Sequence, residues 1–288
     1  MIKPTALLRR LIREPGLIIA PGAYDCVTAA LIEQAHFPAV YMTGAGTSVS
    51  LGYPDYGLVT MSEMVANAGR VASAISVPLI SDADTGYGNE LNVTRTVREF
   101  ERAGAAAIHI EDQEFPKRCG HLDDKRVIDR DAYTAKIRAA VAARRDPDFT
   151  IIARTDARAV AGLEEALIRA NGALAAGADA VFVEAPQTVE EIAEIPRRVT
   201  GPCLLNVVGA GKSPLIDFET AESFGYKIAI VPVLLLSRAV EACESALTAL
   251  RASKSYPVSP NEKSPRELFD RFGAKEWDNI RISPAERA

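Results

Sequence analysis

Short, continuous apolar runs recur along this chain at near-regular spacing. They are Leu17–Ala20, Ala39–Met42, Pro78–Ser81, Ala107–Ile110, Thr150–Ala153, Ala180–Val183, Cys203–Asn206 and 227–231, eight in all. None alternates strictly between apolar and polar. Continuous runs of this length predict parallel strands covered on both faces. Between them the apolar positions switch to helical spacing, most clearly over Ser62–Ile75 and Asn92–Ala103. A glycine closes several of these helices just before the next run, at Gly104, Gly177 and Gly225, as expected of a helix C-terminus. Eight strand–helix units without an intervening linker predict an α/β fold, a closed (β/α)8 TIM barrel. A doubly wound sheet is the alternative.

Two segments flank this pattern. Residues 5–14 read as an amphipathic helix stopped by Pro15-Gly16. Beyond the eighth run, Leu236 to Lys254 reads as one long helix. Residues 255–265 hold three prolines and form a connector, and a further helix opens at Ser264-Pro265 and runs to about Phe272. A barrel does not require this tail. The expected organisation is one barrel domain over 1–288, with 236–288 a helical extension used in oligomerisation.

Composition narrows the function classes. Of the 288 residues, 48% are apolar and 25% charged, and the net charge of −5 is interspersed. No basic block argues for nucleic acid. The longest apolar runs, such as Val231–Leu236, are too short to span a bilayer. The N-terminus lacks the apolar stretch and cleavage site of a signal peptide. Four scattered cysteines, Cys26, Cys119, Cys203 and Cys243, do not form a disulfide framework, which points to a reduced, cytoplasmic protein.

The chemistry gathers where the runs end. Barrel active sites lie at the C-terminal ends of the strands. There this chain carries Thr43-Gly44-Ala45-Gly46, Asp82 and Asp84, Glu111 and Asp112, Arg154 and Asp156, Glu184, and Asn206. Asp82, Asp84 and Glu111 are hard oxygen ligands and suit Mg2+ or Mn2+ rather than zinc. The segment Lys117-Arg118-Cys119-Gly120-His121 places a thiol among cationic neighbours. Such neighbours lower a thiol's pKa and fit it for proton transfer. Arg154 suits bidentate carboxylate binding or an ion pair with Asp156 or Glu184. The glycines of 43–48 fit either an anion-binding loop or a tight strand-to-helix turn. His36 and His109 read as core or surface residues, whereas His121 is the histidine placed for chemistry.

With these residues in view, the chain resembles the isocitrate lyase/phosphoenolpyruvate mutase superfamily over roughly residues 5–255. Asp82-Ala83-Asp84-Thr85-Gly86-Tyr87-Gly88 resembles the family's metal loop. Pro116-Lys117-Arg118-Cys119-Gly120-His121 resembles its catalytic loop. Tyr41-Met42-Thr43-Gly44-Ala45-Gly46 and Gly52-Tyr53-Pro54-Asp55 resemble its substrate segments. The nearest likeness is to the short bacterial-type lyases acting on 2-methylisocitrate or dimethylmalate and to oxaloacetate hydrolases. The resemblance implies a Mg2+-dependent carbon–carbon lyase that cleaves a 2-hydroxy di- or tricarboxylate into a 2-keto acid and a carboxylic acid. Cys119 would be the general acid, with Lys117, His121 and Tyr41 as further catalytic groups. Thr43, Gly44, Ala45, Asp55, Gly120, Arg154, Glu184, Asn206 and Arg238 would contact substrate or brace the site. It also implies a homotetramer that exchanges its last helix between subunits.

The pattern departs from the family at two places. Gly209 stands where related lyases tend to carry a glutamate, and Ala45 where a glycine is common. Phosphonomutase or oxaloacetate hydrolase chemistry on the same scaffold is the alternative to the lyase, and a catalytically silent oligomeric carboxylate binder is the alternative of another class.

Overall fold

The computed structural model describes residues 2–281. Eight parallel strands close into a barrel in sequence order. They are β1 (Ile18–Ala23), β2 (Val40–Met42), β3 (Leu79–Asp82), β4 (Ala107–Glu111), β5 (Thr150–Thr155), β6 (Ala180–Val183), β7 (Cys203–Asn206) and β8 (Ile228–Val231). Pairing of β1 with β8, Ile18 opposite Ile228, shuts the cylinder. The doubly wound alternative is thereby excluded.

The helices are α1 (Pro4–Arg13), α2 (Cys26–Gln34), α3 (Gly44–Ser50), α4 (Met61–Ser73), α5 (Glu90–Arg102), α6 (Arg130–Ala143), α7 (Ala157–Ala161), α8 (Leu163–Ala175), α9 (Val189–Arg198), α10 (Phe218–Phe224), α11 (Leu234–Ser253), α12 (Pro265–Arg271) and α13 (Ala274–Arg281). Of these, α2, α4, α5, α6, α8, α9 and α10 bury one side against the barrel's outer face. Helix stops at Gly104, Gly177 and Gly225 share one device. Each glycine has φ near +100°, and the next residue's N–H donates back five residues: Ala105 to Phe100, Ala178 to Ala173, Tyr226 to Ala221. Only a residue without Cβ adopts that backbone without strain, so the chain can leave the helix and enter the next strand.

The barrel lumen is filled by Ile18, Ile80, Ile152, Phe182, Leu204 and Ile228, and the fully buried Leu8 of α1 joins that cluster. Arg9 anchors α1 below the strands, donating to Asp179 at 2.9 Å and to the Phe149 carbonyl at 3.2 Å, just before β6 and β5. The N-terminal end is therefore plugged, and the opposite end is left for chemistry.

Besides β1, which continues from Ala20 to Ala23, three strands run further than the apolar runs predict. Asp82 and Glu111 close β3 and β4, and Arg154 lies within β5 instead of in the following loops. The ladder carries them: Asp82 pairs with His109 and Glu111 with Arg154. Backbone hydrogen bonding to both neighbours extends a strand through charged residues when their side chains have partners inside the barrel.

Residues 2–237 and the described residues from Arg238 onward form two compact units. In the C-terminal unit α12 and α13 are tied by Arg266, which pairs with Asp270 at 3.0 Å and Asp278 at 2.8 Å. α13 was not foreseen from the sequence. Among the described residues no helix is long and apolar enough to cross a membrane.

Candidate active site

At the C-terminal mouth of the barrel lies a cavity of about 140 Å3. Tyr41, Thr43, Ala45, Asp55, Asp82, Cys119, Gly120, His121, Arg154, Glu184 and Asn206 line it, together with Val208, Ala210, Gly211, Pro232 and Val233. That volume lies well below the roughly 300 Å3 at which drug-sized pockets begin, so it suits an acid of few atoms.

The carboxylates behind this cavity are buried and close-set. Lys117 Nζ sits 2.5 Å from Asp55 Oδ1 and 2.9 Å from Asp84 Oδ1. Burial alone would lower the Lys117 ammonium, but Asp84, Asp55 and Glu111 outweigh it and hold its pKa well above the usual value. Asp84 takes φ +46°, and its N–H donates to Asp82 Oδ1 at 2.9 Å. That turn folds the loop back so that two aspartates share one side. Burial pushes the Asp84 carboxyl up to about 6, against the pull of Lys117. Burial likewise raises Glu111 well above the carboxylate range despite Arg154.

These residues fit a divalent cation. Glu111 Oε1 is buried with no hydrogen-bond partner, which is unfavourable unless something else engages it. Among the described residues no three His, Cys, Asp or Glu side chains form a complete chelating cage. A hard cation that keeps several waters, as Mg2+ does, needs no such cage. Gly44 belongs to the same arrangement, because a Cβ there would overlap Asp82 Oδ2. Thr43 caps α3, its Oγ1 accepting from the Gly46 N–H at 3.2 Å, so the strand-to-helix turn accounts for this loop while Thr43 and Ala45 still face the cavity.

Arg154 is committed to ion pairs. Its Nε lies 2.9 Å from Asp156 and 3.2 Å from Glu111, and its Nη2 3.5 Å from Glu184. Its guanidinium also sits 5.0 Å over the Phe182 ring, a cation–π contact. Lys125 supports Asp156 from the other side at 2.8 Å. Lys125 also donates to the Gly120 carbonyl and so holds the catalytic loop.

The Cys119 thiol corrects the sequence reading. Its pKa is raised, not lowered. Burial comes first, the His121 N–H works against it, and Asp55 and Glu184 add to the rise. The adjacent cations do not compensate, because Lys117 is turned to Asp55 and Asp84, and Arg118 is half exposed and pairs with Asp124. A raised pKa keeps the thiol protonated, and a neutral thiol can donate a proton.

His121 is neutral and its tautomer follows from its partners. Lys212 N–H donates to Nδ1 at 3.0 Å, so Nε2 carries the proton and faces Glu184 Oε1 at 3.2 Å. Burial lowers its pKa against Glu184. Asn206 Nδ2 donates to both Glu184 oxygens at 3.3 Å. A Cβ built at Gly209 meets nothing, so lack of room does not explain the missing acid there.

Two groups escaped sequence reasoning. His109, read as an ordinary core or surface residue, is fully buried, and its Nε2 lies 2.8 Å from the Tyr41 hydroxyl. The two rings stack at 5.7 Å. Burial lowers His109 to about 4, so it is neutral. Burial and then Asp82 raise Tyr41 well above the usual phenol. Lys125 also gave no signal, lying in a polar loop. Arg238, expected at the substrate, belongs to the C-terminal unit, where its exposed guanidinium pairs with Glu241 at 2.5 Å.

The whole chain, not only this site, is similar to known proteins. Residues 8–251 match the family phosphoenolpyruvate phosphomutase. The chain belongs to that family. It is a member of the phosphoenolpyruvate mutase/isocitrate lyase superfamily, as its motifs suggest. A 2,3-dimethylmalate lyase of Eubacterium barkeri is 46% identical over 247 residues, 85% of this chain and 86% of its own. A 2-methylisocitrate lyase of Aeropyrum pernix is 46% identical over 277 residues, 96% of this chain and 89% of its own. Among solved structures, an oxaloacetate acetylhydrolase in complex with 3,3-difluorooxalacetate superposes with TM-score 0.93 at 38% identity, covering 97% of each chain. A phosphonopyruvate hydrolase complex with oxalate and Mg2+ has TM-score 0.90 at 30% identity, covering 99% of this chain and all of the other. The superfamily member described here is thus an enzyme of the lyase and mutase type.

Proposed function

We propose that this enzyme cleaves a carbon–carbon bond in a 2-hydroxy di- or tricarboxylate of the 2-alkylmalate or 2-methylisocitrate type. The products are a 2-keto acid and a carboxylic acid. The observation that carries the reading is the neutral, half-buried Cys119 thiol lining the same small cavity as Asp82 and Arg154.

Asp82, Asp84 and Glu111 would hold Mg2+, or Mn2+, directly or through water. The bound cation would supply Lewis-acid polarisation of the substrate's α-oxygen and carboxylate. Arg154, braced by Asp156 and Glu184, adds positive potential to the cavity. In the reaction the substrate hydroxyl gives its proton to a carboxylate lining the cavity, and its carbon becomes the keto carbon. The bond to the neighbouring carbon breaks, and its electron pair stays on that neighbour. Cys119 Sγ–H delivers a proton there. Tyr41, a neutral phenol held between His109 Nε2 at 2.8 Å and Asp82 Oδ2 at 3.4 Å, would hold Asp82 at the cavity wall. The protonated Nε2 of His121 orients Glu184.

The apolar wall of Val208, Ala210, Pro232 and Val233 suits an alkyl substituent. The likeness to an oxaloacetate acetylhydrolase supports a second reading, hydrolysis of a carbon–carbon bond in oxaloacetate. The C-terminal unit supports a homo-oligomer, a tetramer: Leu247, Val258, Phe269 and Trp277 are all at least 60% exposed, more large apolar surface than a monomer keeps.

A Mg2+-dependent assay over 2-methylisocitrate, isocitrate, dimethylmalate, oxaloacetate and phosphonopyruvate tests the reading. Turnover of a 2-hydroxy acid, reduced about 10²–10⁴-fold in kcat by Cys119→Ser, is expected. Near-wild-type cleavage by Cys119→Ser would overturn the acid role, and turnover of oxaloacetate alone would favour the hydrolase. Binding without turnover of any acid would indicate a silent carboxylate binder.

A further inference from the structure

A second cavity, about 270 Å3, opens between the start of α5, the loop after β4 and α6. It shares no lining residue with the site described above. Its deep end is formed by Lys136 and Thr85, 5% and 2% exposed. Lys136 makes no hydrogen bond or ion pair among the described residues. Thr85 Oγ1 is buried and also lacks a partner. Burial lowers the Lys136 ammonium to about 8, with Glu111 and Asp112 pulling the other way, so it is mainly charged at neutral pH.

A mostly buried lysine whose ammonium has only solvent as a hydrogen-bonding partner favours an accepting ligand. Here the missing partner must accept from an ammonium and a hydroxyl. Of the remaining wall, Gly88, Ile128, Ala132 and the ring of Phe115, itself 64% exposed at the rim, form an apolar side, and Asn89, Glu90 and Gln113 a polar one. Glu90 stands at the mouth, and its charge opposes multiply charged anions.

We propose that this cavity is a binding site for a small monocarboxylate with a short hydrocarbon tail. The carboxylate accepts from Lys136 Nζ and Thr85 Oγ1, and the tail lies on Ile128, Ala132 and Phe115. An inorganic phosphate is a poorer occupant, because Glu90 opposes its second charge and the apolar side of the wall offers its oxygens no donor. The site neighbours the catalytic loop through Gln113, which also lines it. The Gln113 amide donates to the Arg118 carbonyl at 2.8 Å and accepts from the Arg118 N–H at 3.0 Å. An occupant touching Gln113 therefore bears on the segment that presents Cys119. The inference does not depend on the reaction proposed above.

Calorimetric titration of the full chain with butyrate tests it, with inorganic phosphate as the competing probe. The expected result is saturable butyrate binding, weakened about tenfold or more by Lys136→Met, the loss of one charge-assisted hydrogen bond. Ala132→Leu, which fills the cavity and keeps the lysine, should weaken it as well. Val208→Leu, which narrows only the first cavity, should leave it unchanged. No butyrate binding in the wild type, binding indifferent to both Lys136→Met and Ala132→Leu, or phosphate binding more tightly than butyrate would each overturn the proposal. If Lys136→Met does not fold, Ala132→Leu decides the matter.

Discussion

Glu111 Oε2 lies 3.2 Å from Arg154 Nε, across a register in which the two residues pair directly between β4 and β5. The parallel ladder thus delivers an acid and its cation to one point at the barrel mouth, although 43 positions separate them in the chain. Asp156 and Glu184 approach the same guanidinium, and Lys125 shares Asp156, so Arg154 sits at the centre of a mixed-charge cluster.

Removing Asp156 should destabilise the fold. Burial would raise its carboxyl, but Arg154 and Lys125 outweigh burial and hold it well below the usual range. Asp156→Ala leaves two buried cations without that partner, a loss of about 3–5 kcal/mol. The measurement is the urea midpoint at constant slope. An unchanged midpoint would contradict the network.

Asp82→Ala should abolish activity while the barrel stays folded. The effect should exceed the roughly 10–100-fold typical of losing an outer-shell partner of a metal ligand. Circular dichroism and steady-state kinetics over a Mg2+ titration separate the two properties. Activity that survives exhaustive chelation would remove the cation from the reading.

Gly44→Ala should act on the reaction more than on stability. The added Cβ overlaps Asp82 Oδ2, so the aspartate must shift. Displacements near 1 Å in an active site are known to reduce rates by about 10²-fold. Comparable kcat in the variant would mean that Asp82 tolerates movement.

His109 should make folding stability depend on pH. Burial lowers its folded pKa to about 4, against roughly 6.5 for an exposed histidine. Between these values the unfolded chain binds the extra proton. Stability is therefore complete above about 6.5 and falls with acidification, by up to about 1.4 kcal/mol per pH unit. His109→Gln should flatten that part of the profile in denaturant titrations run from pH 7 to pH 4. An identical slope in the variant would place the titration elsewhere.

Deleting residues 238–288 should dissolve the oligomer. The wild type is expected to sediment as a tetramer and the truncated chain as a monomer or an aggregate, since the deleted unit carries Phe269 and Trp277 at 60% and 69% exposure. A wild type that sediments as a monomer would refute this.

The sequence by itself determined the barrel. Eight continuous apolar runs, helical spacing between them and glycine before Ala105, Ala178 and Tyr226 are local signals, because backbone twist and left-handed φ are decided within a few residues. Asp82, Glu111 and Arg154 were legible as strand-end residues for the same reason, though the ladder carried the strands through them. The tertiary structure alone decided how these groups are charged and paired. Lys117 beside Cys119 in sequence suggested a lowered thiol pKa, yet its ammonium reaches Asp55, 62 positions away, and burial raises the thiol. His109 looked inert until Tyr41, 68 positions distant, met it inside the barrel. Lys136 is one lysine on an amphipathic helix, and only packing reveals it as a mostly buried lysine at a cavity wall. Proton affinity depends on burial and on charges within a few ångströms, and neither is carried by neighbours along the chain.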